Sequence, residues 1–127
     1  MFDLVSVGHF SIDSIFLSHR KTPFVVLGGS VAYVSLAAKR LDARVSIISK
    51  VGSDFPETYR RWLQQEGVDL SNVITLANAR TTRFEIEYTD DFTDRRMRSE
   101  SRMAPITVED VQHPAKAAAV HIGPIAG

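Results

Sequence analysis

Polar residues at a turn near the N-terminus are the strongest candidates for chemistry in this sequence. Gly8, Ser11 and Asp13 form the pattern Gly-x-x-Ser-x-Asp, between the end of one short apolar run and the start of the next. A carboxylate at a strand end can accept hydrogen bonds from two neighbouring hydroxyl groups, as recognition of a sugar or polyol requires. The same spacing suits an aspartate that caps a turn or pairs with a surface arginine, which is the more common arrangement. The spacing alone leaves both interpretations open.

A second candidate is the pair Gly28 and Gly29, which stands with Ser30 immediately before a segment of helical periodicity. Glycines let the backbone approach a ligand closely, and the first turn of a helix offers free N–H groups. A simple tight turn into a helix is the more common outcome of such a pattern. The sequence is neither Gly-x-Gly-x-x-Gly nor a P-loop, so it does not indicate a dinucleotide-binding or P-loop enzyme.

Other polar residues have a structural interpretation. Asp54 opens the pattern Asp-x-x-Glu with Pro56 in the first turn, so we predict that it caps a helix and has no catalytic role. The four histidines lack the spacing of metal ligands, and we expect local structural roles for them: His9, His19, His113 and His121. An arginine-rich segment could reach an anionic substrate, but a solvated hairpin with aspartate partners is the simpler prediction: Arg95, Arg96, Arg98 and Arg102, with Asp90, Asp91 and Asp94.

Hydrophobic periodicity predicts the elements that position these residues. Short apolar runs predict strands at 2–7, 12–17, 24–27, 45–51 and 117–122. Spacings of three and four predict a helix from Ser30 to Leu41, and a second helix follows Asp54 and ends at Gly67. We expect Tyr59 and Trp62 on that second helix to lie in the core. Strands that alternate with helices predict a parallel sheet with right-handed crossovers.

The second half of the chain has a different pattern. Residues 82–89 alternate in polarity, a polar turn follows, and the charged segment 95–102 returns. This pattern predicts a β-hairpin that stands away from the main sheet. The segment from Thr107 to Asp110 has the spacing of a short capped helix, which Pro114 should end.

Composition narrows the class of protein. The 127 residues are enough for one domain, and 15 basic residues balance 15 acidic ones. Such a balance does not indicate a nucleic-acid partner or an anionic membrane surface. The chain has no cysteine, its N-terminus does not look like a signal peptide, and its apolar runs are too short to cross a bilayer. We therefore expect a cytoplasmic protein without a membrane partner.

Taken in order, five segments resemble the N-terminal part of the ribokinase or PfkB carbohydrate-kinase family. Residues 4–13 resemble its opening strand and G-x-x-N-x-D motif, and residues 27–41 resemble its first signature, G-G-x-x-x-N-x-A ending in R-L-G. Residues 45–54 resemble its V-G-x-D turn, residues 65–73 its G-V-D segment, and Thr81 begins where its lid strand starts. Each motif is weak alone, but five at matching intervals across essentially the whole chain are specific.

The resemblance implies a Rossmann-like, ribokinase-type three-layer α/β fold with a protruding β-hairpin lid. It places lid elements near 10–18 and 81–102, and a homodimer through the lid hairpin. It also implies a set of residues that bind the substrate's hydroxyls, in which Ser11 and Tyr33 stand at the family's two asparagine positions: Asp13, Gly28, Gly29, Ser11, Tyr33 and Arg83. Because both asparagines are replaced, a ribokinase-like sugar preference is not assumed. Tyr33 is similar to the residue found at its position in archaeal-type or inositol-kinase-like members.

The implied activity is ATP-dependent phosphorylation of a hydroxyl on a sugar or polyol, with Mg²⁺-ATP. The family's second signature, D-T-x-G-A-G-D, which supplies the anion hole and the catalytic base, is absent from this sequence. We therefore expect an N-terminal, substrate-binding portion that lacks the ATP-binding portion, is inactive alone, and is marginally stable or oligomeric. The alternative is a truncated, non-catalytic polyol-binding or dimerisation module. An NAD-binding enzyme is not favoured, because no glycine fingerprint follows the first strand.

Overall fold

The computed structural model describes residues 1–113 and 116–125. Within those residues, eight strands and two α-helices follow one another, with a short 3-10 helix, Val108–Asp110, before the last strand. The strands are β1 Phe2–Gly8, β2 Ser11–Phe16, β3 Phe24–Gly28, β4 Val45–Gly52, β5 Asp69–Leu76, β6 Arg83–Tyr88, β7 Arg95–Ser101 and β8 Ala117–Gly123. The helices are α1 Ser30–Arg40 and α2 Glu57–Gln65.

The strands form two four-stranded sheets. The first has the order β5-β4-β1-β8, and all of its pairs are parallel. The second has the order β3-β2-β6-β7, in which β2 and β6 are parallel and the two outer pairs are antiparallel. The predicted α/β class with a parallel sheet is confirmed. The predicted hairpin, β6–β7, belongs to the second sheet together with β2 and β3.

A core of apolar side chains lies between the first sheet and the two helices. Val31 of α1, Ile47 of β4 and Leu63 of α2 are fully buried there. The core also contains Phe10, whose ring centroid lies 5.3 Å from that of Phe55. The prediction that Trp62 belongs to this core is wrong, because its neighbour Leu63 takes the inward position and Trp62 remains 41% exposed. Tyr59 is partly buried and packs against the core.

Two predicted capping boxes have different outcomes. The one at Asp54 is wrong: α2 begins at Glu57 with Pro56 as its N-cap, and no side chain caps it. The one before the 3-10 helix is confirmed, since the backbone N–H of Thr107 donates to Asp110 Oδ2 over 2.7 Å. Pro114, expected to end that helix, lies outside the described residues. Strand β5 was not predicted, because polar residues such as Asn72 interrupt its apolar run.

Candidate hydroxyl-binding site

Ser11 and Asp13 lie on the same face of β2, because side chains two residues apart in a strand point to the same side. The hydroxyl of Ser11 donates a hydrogen bond to Asp13 Oδ1 over 2.8 Å. Both residues are buried, Asp13 being 9% exposed. One carboxylate oxygen therefore has an internal donor, and the other can accept hydrogen bonds from a ligand.

The environment of Asp13 shifts its ionisation. Burial raises the pKa of this carboxyl above the ordinary 3.8, although the Ser11 hydrogen bond and the positive charge of Arg95 act in the opposite direction. Burial outweighs these two favourable contacts, so the charged form still lacks part of the solvation it has in water. A ligand whose hydroxyl groups donate to Asp13 would replace that lost solvation and favour the charged form.

Gly28 leaves the space in which the Asp13 carboxylate lies. It is opposite Ser11 in the β2–β3 register. A Cβ on Gly28 would lie 2.1 Å from Asp13 Oδ2 and 2.6 Å from Ser11 Oγ, far inside contact distance. No other residue fits at this position while the carboxylate keeps its place.

Gly29 lies next to Gly28, at the point where the chain enters α1. It is the N-cap residue of α1 and has φ 96°, a left-handed conformation that glycine adopts without strain. A Cβ there would lie 2.4 Å from the backbone oxygen of His9. The first turn of α1 is thereby held against the segment that leads from β1 into β2, close to Asp13.

Tyr33 is one turn into α1 and is 59% exposed. Partial burial raises the pKa of its hydroxyl, and the negative charges of Asp13 and Tyr88 raise it further. Ser11, Asp13 and Gly28 are thus in close contact, and Gly29 follows directly in the chain. The part of Tyr33 in the same site remains a prediction.

Arg83, the sixth predicted residue, has another partner. Its guanidinium donates to Asp54 Oδ2 from Nη2 over 3.0 Å and from Nε over 3.2 Å. The predicted contact between Arg83 and a substrate oxygen remains a prediction. Any such contact must share the guanidinium with Asp54.

Two cavities that the sequence did not indicate flank the second sheet. One, of about 500 Å³, is mainly apolar and lies at the carboxyl ends of β1 and β8, beside Gly8, Thr82, Phe84 and Met103. Phe84 in its wall is opposite Asp13 in the β2–β6 register, although Asp13 itself does not line this cavity. The other, of about 750 Å³, lies at the hairpin turn between Phe16, Tyr88 and Arg95.

Two of the four histidines have side-chain hydrogen bonds within the protein. His9 Nε2 lies 2.8 Å from the carbonyl oxygen of Ala104, and His121 Nδ1 lies 3.3 Å from Ser6 Oγ. Among residues 1–113 and 116–125, no group of three His, Asp or Glu side chains is arranged to hold a metal ion. None of the described helices is both long and apolar enough to span a membrane.

Comparison with known proteins decides the family. The sequence profile of the pfkB family carbohydrate kinases matches residues 1–124. The chain belongs to this family. Its predicted resemblance to PfkB kinases is confirmed, and Asp13, Gly28 and Gly29 fall within the matched region.

Two curated relatives of this PfkB chain are archaeal kinases. It is 36% identical over 94 residues to a cytidine kinase of Thermococcus kodakarensis, an alignment that covers 72% of this chain and 32% of that enzyme. It is 34% identical over 90 residues to a nucleoside kinase of Methanothermobacter thermautotrophicus, covering 62% of this chain and 29% of the enzyme. The chain thus spans about a third of the length of these relatives.

Solved structures agree with the family assignment. A pyrophosphate-dependent kinase in the ribokinase family, determined as a sulfate complex, superposes with a TM-score of 0.76 and 25% sequence identity. The match covers 96% of this chain and 41% of that kinase.

Proposed function

We propose that the protein phosphorylates a hydroxyl group of a small sugar-containing substrate, and that residues 1–127 are its acceptor-binding portion. The observation that carries this proposal is the buried Asp13 carboxylate, oriented by Ser11 and packed against Gly28. Membership of a kinase family supplies the reaction class. The geometry supplies the place where a hydroxyl would bind.

Each residue of the site has a distinct part in this proposal. Asp13 accepts hydrogen bonds from one or two substrate hydroxyls, and Ser11 holds its carboxylate in one orientation. Gly28 makes room for the Asp13 carboxylate, and Gly29 holds the start of α1 against His9, so that the N–H groups that begin α1 lie beside the acceptor. Tyr33 presents a ring face and a hydroxyl at the open side. Fixing the acceptor in this way supplies positioning, on which phosphoryl transfer largely depends.

Residues 10–18 and 81–102 form the proposed lid. They make up most of the second sheet, which carries Asp13 on one of its central strands. A lid of this kind would exclude water from the acceptor and limit wasteful hydrolysis of the phosphate donor. Exposed apolar side chains on the hairpin, Met97 and Phe92, give it a surface through which two copies could pair.

A nucleoside is the acceptor class that the observations favour most. The two curated relatives are a cytidine kinase and a nucleoside kinase. The cavity of about 500 Å³ has a mainly apolar wall, as a planar base would require, and that wall includes Phe84, the strand neighbour of Asp13. In this arrangement the ribose hydroxyls bind at Asp13 and the base lies between Phe84 and Met103. A free sugar or a polyol would use the hydroxyl site and leave the cavity empty.

ATP and Mg²⁺ are the donor and metal that the family implies. Among the described residues, no group of three acidic or histidine side chains is arranged to hold a metal ion. The family's donor-site signature is also absent from the sequence. We therefore assign these 127 residues no part in holding ATP and no catalytic base. A non-catalytic polyol-binding or dimerisation module is the alternative function.

An acceptor panel distinguishes these possibilities. The natural protein is incubated with Mg²⁺-ATP and cytidine, adenosine, ribose, fructose or myo-inositol, and phosphorylated products are detected by ³¹P NMR. We expect phosphorylation of at least one nucleoside, and its loss in Asp13→Asn. Asp3→Asn is the matched control, because Asp3 is an exposed carboxylate paired with Arg44 at the other end of β1. Binding of myo-inositol without any phosphorylation would favour the alternative.

A further inference from the structure

Asp54 connects the end of β4 to the start of β6. Its Oδ1 accepts hydrogen bonds from both the backbone N–H and the hydroxyl of Thr81, each over 2.8 Å. Its Oδ2 accepts two from the Arg83 guanidinium. Both carboxylate oxygens are therefore occupied by groups at the start of the second sheet. Asp54 is not arranged as a direct ligand for a substrate.

Thr81 is the residue on which this junction converges. It is fully buried, and its hydroxyl oxygen also accepts a hydrogen bond from the backbone N–H of Gly52 over 3.0 Å. Its carbonyl oxygen accepts one from Ser101 Oγ over 2.8 Å. Thr81 thus joins the end of β4 to both strands of the hairpin. A Cβ on Gly52 would lie 2.2 Å from the Ala79 oxygen, so this close approach requires glycine.

The electrostatics of Asp54 agree with this arrangement. Burial alone would raise the pKa of Asp54, but the hydrogen bonds from Thr81 and the charge of Arg83 outweigh it and lower the pKa below 3.8. The carboxylate is therefore charged at neutral pH and bound to partners 27 and 29 residues further along the chain.

The junction determines how β6 lies against β2. Immediately after Thr81, the carbonyl oxygen of Thr82 accepts the N–H of Ile12 over 2.9 Å. Arg83 then pairs with Ile12, and Phe84 pairs with Asp13. The strand that carries Asp13 is held by β3 on one side and by β6 on the other. Because β6 and β2 are paired here, a displacement of Thr81 or Arg83 would also displace the backbone of Asp13.

We propose that Asp54 is a positioning residue for the acceptor: through Thr81 and Arg83 it holds β6 in register against β2, and so fixes the place of the Asp13 carboxylate. This inference rests on the proposed function, because it assigns Asp54 a part in acceptor binding.

The test combines amide hydrogen exchange with steady-state kinetics on the natural protein and its Asp54→Asn variant. We expect exchange at Ile12 and Phe84 to rise about 10- to 100-fold, the effect of losing a charge-assisted hydrogen bond, while exchange at Ile47 stays unchanged. The KM for the acceptor should rise by a factor of about ten or more, with the KM for ATP unchanged. A merely structural role would not separate the two KM values.

Matched variants complete the experiment. Asp3 accepts comparable hydrogen bonds from the backbone N–H and the guanidinium of Arg44, and it lies outside the site and the proposed lid, so Asp3→Asn should change neither readout. If Asp54→Asn does not fold, Thr81→Val removes the same hydroxyl partner at constant shape, and Thr81→Ser should restore both wild-type values.

The outcomes are distinct. Unchanged exchange in both Asp54→Asn and Thr81→Val would overturn the inference, and so would raised exchange with an unchanged acceptor KM. A wild-type protein that phosphorylates no acceptor would refute the proposed function. In that case the exchange measurement still decides whether Asp54 holds β6 against β2.

Discussion

Gly28→Ala is the perturbation whose effect follows most directly from the geometry of the site. Gly28 does not have a positive φ, so an alanine backbone fits there without strain. The added Cβ, however, would lie 2.1 Å from Asp13 Oδ2 and 2.6 Å from Ser11 Oγ. Since carbon and oxygen need more than 3 Å between them, the carboxylate must move by about 1 Å or more.

This displacement sets the expected loss of kcat/KM and of folding stability. A misplacement of about 1 Å in a positioned group lowers kcat/KM by a factor of about 100, which corresponds to about 2.7 kcal/mol. The same clash should lower the free energy of unfolding by about 1–3 kcal/mol, as for other overpacked buried sites. Acceptor kinetics and urea unfolding of the natural protein measure the two quantities separately.

Gly67→Ala is the control for this experiment. Gly67 has φ 89°, and a Cβ there would meet only the side chain of Lys39. We expect it to lower stability by about 1 kcal/mol through backbone strain and to leave the kinetics unchanged. Wild-type kcat/KM in Gly28→Ala would refute the reasoning that the Asp13 carboxylate is packed against Gly28 and holds the acceptor.

Three further predictions concern charge and association. The pKa of Asp13 is raised in the folded state, so ionisation of this carboxyl lowers the stability of the protein at pH values above that pKa. Asp13→Asn should therefore raise Tm at pH 7, and this gain should disappear as the pH falls below 3.8. An unchanged Tm at pH 7 would contradict this prediction. Lys50 Nζ lies 2.8 Å from Asp110 Oδ2, so Lys50→Met should lower the free energy of unfolding by about 3 kcal/mol in urea titrations, and an unshifted midpoint would contradict this. If the protein forms the proposed homodimer, Met97→Glu should convert it to a monomer in analytical ultracentrifugation, since it places a charge on the exposed apolar surface of the hairpin. A dimer that persists in Met97→Glu would exclude the hairpin as its interface.

The elements that the sequence predicts correctly are those that a single local pattern determines. The spacing of Ala32, Tyr33, Leu36 and Ala37 predicts α1, and the alternation of Phe84 and Ile86 predicts β6. The spacing Ser-x-Asp predicts that Ser11 and Asp13 lie on one face of a strand, because side chains two residues apart in a strand point to the same side. The glycine pair Gly28 and Gly29 is recognisable in the sequence. That Gly28 makes room for the Asp13 carboxylate follows only from the register of β3 against β2.

Residues with distant partners were the ones that sequence reasoning misjudged or missed. Asp54 has the spacing of a helix cap, yet Thr81 and Arg83, far along the chain, offer it more donors than the first turn of α2 does. Nothing local in the sequence indicates that β2 pairs in parallel with β6. The ion pair of Lys50 with Asp110 is equally non-local, and it buries a lysine that composition alone would place at the surface.

The central claim is that Asp13, with Ser11, Gly28 and Gly29, binds the hydroxyls of a small acceptor. Isothermal titration of cytidine, adenosine, ribose and myo-inositol into the natural protein and its Asp13→Asn and Asp3→Asn variants tests it most directly. We expect at least one of these compounds to bind the wild-type protein one-to-one. Asp13→Asn should weaken this binding at least about tenfold, because charge-assisted hydrogen bonds are lost, and Asp3→Asn should leave the affinity unchanged. Equal affinity in the wild-type protein and Asp13→Asn would contradict it.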